Sequence, residues 1–133
     1  MLFELRDVHY VYMRGTPFAS EALRGLSLSI PANQTVALVG PTRAGKSTVV
    51  DLLAGLIKPG AGTILFEGAD IAAPSFDIKR IRSTVGIVFQ SPEAQIFEET
   101  VGKDVSFGPR SKKIPITWGT VPKLLQAINE PFN

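Results

Sequence analysis

The stretch "TVALVGPTRAGKSTVVDLLAGLI", residues 35–57, decides the fold. Its centre, residues 40–48, reads "GPTRAGKST" and has the spacing Gly, four residues, Gly-Lys-Ser that is typical of a phosphate-binding loop. The apolar run before the loop predicts a strand buried on both faces, and the apolar residues after it recur with helical spacing. A chance match remains the alternative, but strand, loop and helix in this order are the context that the motif requires.

A loop of this kind holds phosphate because several backbone amides and the N-terminus of the following helix all favour negative charge. We expect the amides of residues 44–48 to point inward. Lys46 is expected to reach the β- and γ-phosphates of a nucleotide, and the Ser47 hydroxyl to bind Mg²⁺. The predicted phosphate site consists of Gly40, Pro41, Thr42, Arg43, Ala44, Gly45, Lys46, Ser47 and Thr48.

The segments on either side of the loop predict more strands and one short helix. In residues 1–13 the apolar positions alternate but change parity, which predicts a β-bulge or break near Asp7. Further strands are predicted for "LRGLSLSI" (23–30), "TILFEG" (63–68) and a second buried run, "VGIVFQ" (85–90), and a helical turn for "IKRIR" (78–82).

Length and composition limit the functions to consider. A chain of 133 residues holds one domain or a part of one, and 44% hydrophobic with 20% charged residues is typical of a soluble globular protein. There is no cysteine for a disulfide or thiolate metal site, and the longest apolar runs are too short for a membrane helix. Because the number of basic residues, 14, is close to the number of acidic residues, 12, we expect no nucleic-acid partner.

The phosphate loop is followed by "VGIVFQSPEAQIFEETVGKDVSFGP" (85–109). Together the two stretches resemble the ATP-binding subunits of ABC transporters, most closely those of the energy-coupling factor type. The resemblance covers residues 1–109, interpreted as a partial ATP-binding domain, and 110–133 form an atypical tail in which "KLLQAINE" could make a brief helix. It implies an α/β fold: a P-loop NTPase core with a mostly parallel sheet and helices, plus an N-terminal antiparallel β-subdomain, here incomplete. The implied ligands are ATP or ADP with Mg²⁺.

The resemblance also implies roles for residues outside the loop. Tyr12 corresponds to the aromatic residue that stacks on adenine, with Tyr10 as the weaker candidate and a plain core strand residue as the alternative. Gln90 corresponds to a glutamine near Mg²⁺ and the attacking water, or it is only a polar strand end. Gln95, Ile96 and Phe97 match the groove that receives a transmembrane subunit, although Phe97 alone could be a core residue. A second ATP-binding subunit and a location on the cytoplasmic face of the membrane are implied too.

The sequence departs from the family at several points. Arg43 stands where a small residue, usually glycine, is found, so we expect it to hinder the loop. No "LSGGQ"-like stretch and no apolar strand ending in Asp-Glu follow Gln90, and the only histidine, His9, precedes the loop and cannot be the switch histidine. We expect that this is a truncated or frameshifted subunit in which the family pattern stops just after Pro109. An artificially chosen end of the sequence and a naturally degenerate protein are the alternatives.

Two rival functions remain at this point. One is an inactive module that binds nucleotide and pairs with intact subunits. The other is a small P-loop kinase, which normally begins close to its phosphate loop, whereas this chain places 39 residues before it.

Overall fold

The computed structural model describes residues 1–114, apart from the side chain of Pro92. The chain forms two compact units, Met1–Ile87 and Val88–Asn133, of which the second is described as far as residue 114. The helix predicted for "KLLQAINE" and most of the predicted tail lie outside the described residues. The boundary predicted at residue 109 stays a prediction.

The first unit contains a four-stranded antiparallel sheet. Its strands are β1 (Phe3–Tyr12), β2 (Ser20–Ile30), β3 (Ala61–Phe66) and β4 (Ala69–Asp70), in the order β2-β1-β3-β4. Each neighbouring pair is antiparallel. The predicted N-terminal antiparallel subdomain is therefore confirmed.

The change of parity in β1 comes from a bulge at Asp7. The pairing of β1 with β2 shifts register between Leu5 and Val8, and Asp7 has a φ of 50°. On the other side of β1, Gly62 of β3 has a φ of 84° and lies so close to the Asp7 carbonyl that a β-carbon could not fit there. The bulge predicted from the apolar pattern is confirmed, and a glycine on the next strand accommodates it.

Two helices, α1 (Lys46–Leu53) and α2 (Lys79–Thr84), complete the first unit and pack on the sheet. α1 contributes Val49 and Leu52 to the core and α2 contributes Ile81. Because Val49 and Leu52 are nearly inaccessible to solvent, the first turn of α1 is anchored firmly beside the sheet. The core cluster consists of Phe3, Leu5, Val8, Leu23, Val49, Leu52, Ile64, Phe66, Ile71 and Ile81.

The two strands predicted as buried on both faces are absent from the described part of the chain. Residues 35–40 and 85–90 belong to no strand, and Val36, Leu38 and Val39 are 44%, 42% and 91% exposed. The prediction was wrong for these residues because a buried strand needs hydrogen-bonded neighbours for its N–H and C=O groups. None of β1–β4 pairs with either segment.

The second unit begins with a 3-10 turn, Pro92–Gln95, and continues into helix α3, Val101–Ser111. The Thr100 hydroxyl caps α3 by accepting a hydrogen bond from the Lys103 backbone N–H at 3.3 Å. Asp104 lies in the first turn, where a carboxylate is stabilised by the helix dipole. No helix within residues 1–114 is long and apolar enough to cross a lipid bilayer.

Candidate phosphate site

The predicted phosphate loop lies against β2 and ends at the N-terminus of α1. Gly45, which precedes the first helical residue, has a φ of 83° and a ψ of 7°. A β-carbon at this position would lie 2.6 Å from the Ala22 carbonyl oxygen of β2. Only glycine combines this left-handed conformation with so close an approach, so the motif glycine sets the distance between loop and sheet.

The N-terminus of α1 offers unpaired backbone donors. No side chain within residues 1–114 caps the helix, and no acidic residue lies in its first turn. Val49 N–H is the first amide in the helix to find a backbone acceptor, the Gly45 carbonyl at 3.0 Å. Within the described residues the amides of Lys46, Ser47 and Thr48 therefore remain available, which suits an anion.

The amide of Ala44 has a different environment from the one predicted. It donates a hydrogen bond to the Pro41 carbonyl at 3.3 Å, so it is already paired within the loop. Of the five amides predicted to bind phosphate, that of Ala44 is therefore not free to do so in this structure. Ser47 is exposed at the surface, where its hydroxyl is accessible to a metal ion.

The Lys46 ammonium lies across the loop. Its Nζ donates to the carbonyl oxygens of Gly40 and Pro41, at 2.6 and 2.5 Å. These contacts hold a positive charge beside the free amides of the first helical turn. Cation and amides together match the chemistry of a phosphate group, so the residues present fit a nucleotide phosphate chain.

Tyr12 is brought to the loop from the end of β1. Its hydroxyl forms a hydrogen bond with Thr48 Oγ1 at 3.0 Å, and its ring packs edge-on against Tyr10, with 4.8 Å between ring centroids. Tyr12 is 39% exposed and does not belong to the core cluster, against which Tyr10 packs. Stacking on adenine stays a prediction. The contact with Thr48 was not predicted, because no local pattern links residues 36 positions apart.

The remaining predicted residues lie in the second unit. Gln90 is exposed in a bend. Ile96 and Phe97 are 65% and 63% exposed, so Phe97 is not a core residue of the described structure. Its ring packs edge-on against Phe107 of α3, with 4.7 Å between centroids. Gln95 Nε2 is shielded from solvent and has no hydrogen-bond acceptor among residues 1–114. Binding of a partner here stays a prediction.

Arg43 occupies a backbone conformation that disfavours a side chain. Its φ is 65°, in the left-handed region, which costs an ordinary residue about 1–2 kcal/mol. Arg43 and Ala44 also line an open groove of about 490 Å³ whose other wall is residues 21–27 of β2. The position that usually carries glycine in this motif therefore has the geometry of glycine here.

We predict that Arg43→Gly tightens nucleotide binding about fivefold, because glycine keeps this φ without strain while the loop closes on phosphate. Calorimetric titration with MgATP measures the effect. Arg43→Ala is the matched control, since it removes the bulk of the side chain but keeps the β-carbon. Equal gains in both variants would assign the hindrance to crowding, and a tenfold loss in Arg43→Gly would show that Arg43 contacts phosphate.

Comparisons with known proteins agree with this geometry. A family model described as ABC transporter matches residues 23–130. The energy-coupling factor transporter ATP-binding protein EcfA2 of Symbiobacterium thermophilum is 43% identical over 107 residues, covering 80% of this chain and 37% of the relative. The EcfA2 of Streptococcus sanguinis is 48% identical over 109 residues, covering 80% and 39%.

A solved structure with a similar fold is cbiO1 from Clostridium perfringens, described as part of the ABC transporter complex cbiONQ. It superposes with a TM-score of 0.71 at 32% identity and covers 92% of this chain and 46% of its own. The predicted fold class is thereby confirmed. The chain spans less than half the length of each of these relatives.

Proposed function

The chain belongs to the ABC transporter family, and on that premise we propose that residues 40–48 bind the phosphates of ATP or ADP with Mg²⁺ in an energy-coupling factor type subunit. The observation that carries the proposal is the combination of the Lys46 ammonium with the unpaired amides at the start of α1. Similarity to ATP-binding proteins of energy-coupling factor transporters supports the choice of nucleotide. Saturable binding of MgATP in a calorimetric titration is the direct test.

Each residue has a distinct task in this proposal. Lys46 would exchange the carbonyls of Gly40 and Pro41 for phosphate oxygens, which are stronger acceptors because they are charged. The amides of the first helical turn would hold the same oxygens from the other side. The exposed Ser47 hydroxyl would bind the Mg²⁺ that neutralises them, and Tyr12 would stack on the base.

Gln90 is proposed to help position Mg²⁺ and the attacking water in the assembled ATPase. A carboxamide suits this task because its oxygen can bind a metal ion and its nitrogen can donate to water. Gln90 belongs to the second unit and is exposed to solvent, so it is accessible to a ligand.

The partners proposed are those of a transporter ATPase. The surface around Gln95, Ile96 and Phe97 would bind a transmembrane subunit, and a second ATP-binding subunit, identical or related, would complete the nucleotide site. The exposure of Ile96 and Phe97 supports an interaction role for this surface. The subunit would then lie at the cytoplasmic face of a membrane and energise import of a vitamin or a metal ion.

We predict no meaningful ATP hydrolysis by the 133-residue chain alone. Phosphoryl transfer needs groups that orient water and support Mg²⁺ besides the phosphate loop, and the sequence contains no Asp-Glu strand or "LSGGQ"-like stretch after Gln90. Phosphate release measured under saturating MgATP should match the buffer blank. Steady turnover that survives purification and disappears in Lys46→Ala would contradict this prediction.

The same missing groups favour a second candidate function, an inactive module that holds nucleotide and pairs with intact subunits. Trapping of nucleotide at a dimer with an intact relative would support it. A small P-loop kinase would instead transfer phosphate to a small acceptor, and the similarity to transporter subunits argues against that activity.

A further inference from the structure

A shielded hydrogen bond joins the end of β1 to the first turn of α1. It connects the Tyr12 hydroxyl with Thr48 Oγ1 over 3.0 Å, and Thr48 is only 4% exposed. We propose that Thr48 is a positioning residue: its hydroxyl holds the Tyr12 ring as a platform for the purine base, at a fixed place relative to the phosphate loop. This inference rests on the proposed function, because it assumes that nucleotide binds at residues 40–48.

Three constraints act on the Tyr12 ring. Its backbone is the last position of β1, paired with Ser20 of β2. The edge-on contact with Tyr10 supports one side of the ring. The bond to Thr48 fixes the far end of the side chain, which the first two constraints leave free to rotate. A ring held in advance loses less entropy when a base stacks on it, and so binds the base more tightly.

The Thr48 end of this hydrogen bond is equally well fixed. Thr48 lies two residues after Lys46, in the turn whose free amides form the proposed phosphate site. Its neighbour Val49 is buried in the core, so the turn cannot shift without disturbing the packing of α1. The Tyr12 ring and the proposed phosphate site are therefore joined through one side-chain hydrogen bond.

The competing explanation is that the bond only stabilises the contact between β1 and α1. Both explanations predict that its loss lowers the melting temperature. They differ for the base, because only a positioning role changes how closely a bound adenine ring contacts Tyr12. The fluorescence of 1,N6-ethenoadenosine triphosphate reports this contact, since stacking on an aromatic ring quenches the fluorophore.

The experiment uses the full 133-residue chain and its Thr48→Val variant, which keeps the shape of the side chain and removes the hydroxyl. We expect roughly fivefold weaker binding of the etheno nucleotide with Mg²⁺, the effect of about one hydrogen bond. At saturation the quenching should also be smaller than in the wild type. Thr48→Ser, which keeps the hydroxyl, should restore both. Thr84→Val makes the same change on α2, where the Thr84 hydroxyl donates to the Arg80 carbonyl, and should leave the quenching unchanged.

Tyr12→Phe tests the other end of the bond and guards against misfolding of the threonine variant. It keeps the ring, and we expect the same loss of quenching, with no further loss when both substitutions are combined. Full quenching at saturation in Thr48→Val or Tyr12→Phe would overturn the positioning role. An absence of saturable binding by the wild type would contradict the proposed function itself, and this inference with it.

Discussion

Replacing Lys46 by alanine is expected to weaken binding of MgATP by on the order of 100-fold, because charge-assisted hydrogen bonds to phosphate are among the strongest in proteins. In the structure the ammonium already lies at the mouth of the loop, bonded to the Gly40 and Pro41 carbonyls. The substitution removes the side-chain cation that these two hydrogen bonds hold over the loop. Calorimetric titration of both proteins with MgATP gives the two dissociation constants.

Two further variants make this result specific. Lys58→Ala removes an exposed lysine just beyond the end of α1 and should bind MgATP like the wild type. Lys46→Arg keeps the charge but has a larger, planar head group, so it should restore only part of the affinity. Because Lys46 also bonds the Gly40 and Pro41 carbonyls of the loop, thermal unfolding of each variant should accompany the titrations. Equal affinity of wild type and Lys46→Ala would show that the site has been assigned wrongly.

The sequence was a good guide where a feature depends on neighbouring residues. The parity change in β1 predicted the bulge at Asp7, and the apolar pattern of residues 23–30 predicted a strand that β2 includes. Local patterns are sufficient in these cases because side-chain direction in a strand follows the two-residue period. Helix α1 could also be predicted locally, because the loop motif is followed by a helix and its Gly45 makes the left-handed turn from which α1 begins.

Features that depend on distant parts of the chain could not be predicted in this way. Residues 35–40 have the composition of a buried strand, but a strand forms only where a partner backbone is present. The bond between Tyr12 and Thr48 joins two residues whose sequence contexts carry no sign of each other. Helix α3 was missed although Thr100 provides a local capping signal, because its sequence includes Gly102, Gly108 and Pro109, which disfavour helices.

The apolar segment 35–39, just before the phosphate loop, is expected to drive self-association of the isolated chain. Val39 is 91% exposed, Val36 and Leu38 are more than two-fifths exposed, and none of β1–β4 pairs with this segment. Unpaired backbone groups flanked by β-branched and aliphatic side chains favour pairing with the backbone of other chains. We therefore predict marginal stability and concentration-dependent oligomers in sedimentation velocity.

A charge on this segment should suppress the association, because lysine on an exposed edge disfavours pairing between chains. We expect Val39→Lys to shift the sedimentation profile strongly toward the monomer. Val50→Lys is the matched control: it adds the same charge to an exposed valine of α1, where the backbone is already hydrogen-bonded within the helix, and it should still associate. If the wild-type chain instead sediments as a monodisperse monomer and unfolds in one cooperative transition well above about 45 °C, the segment does not drive self-association.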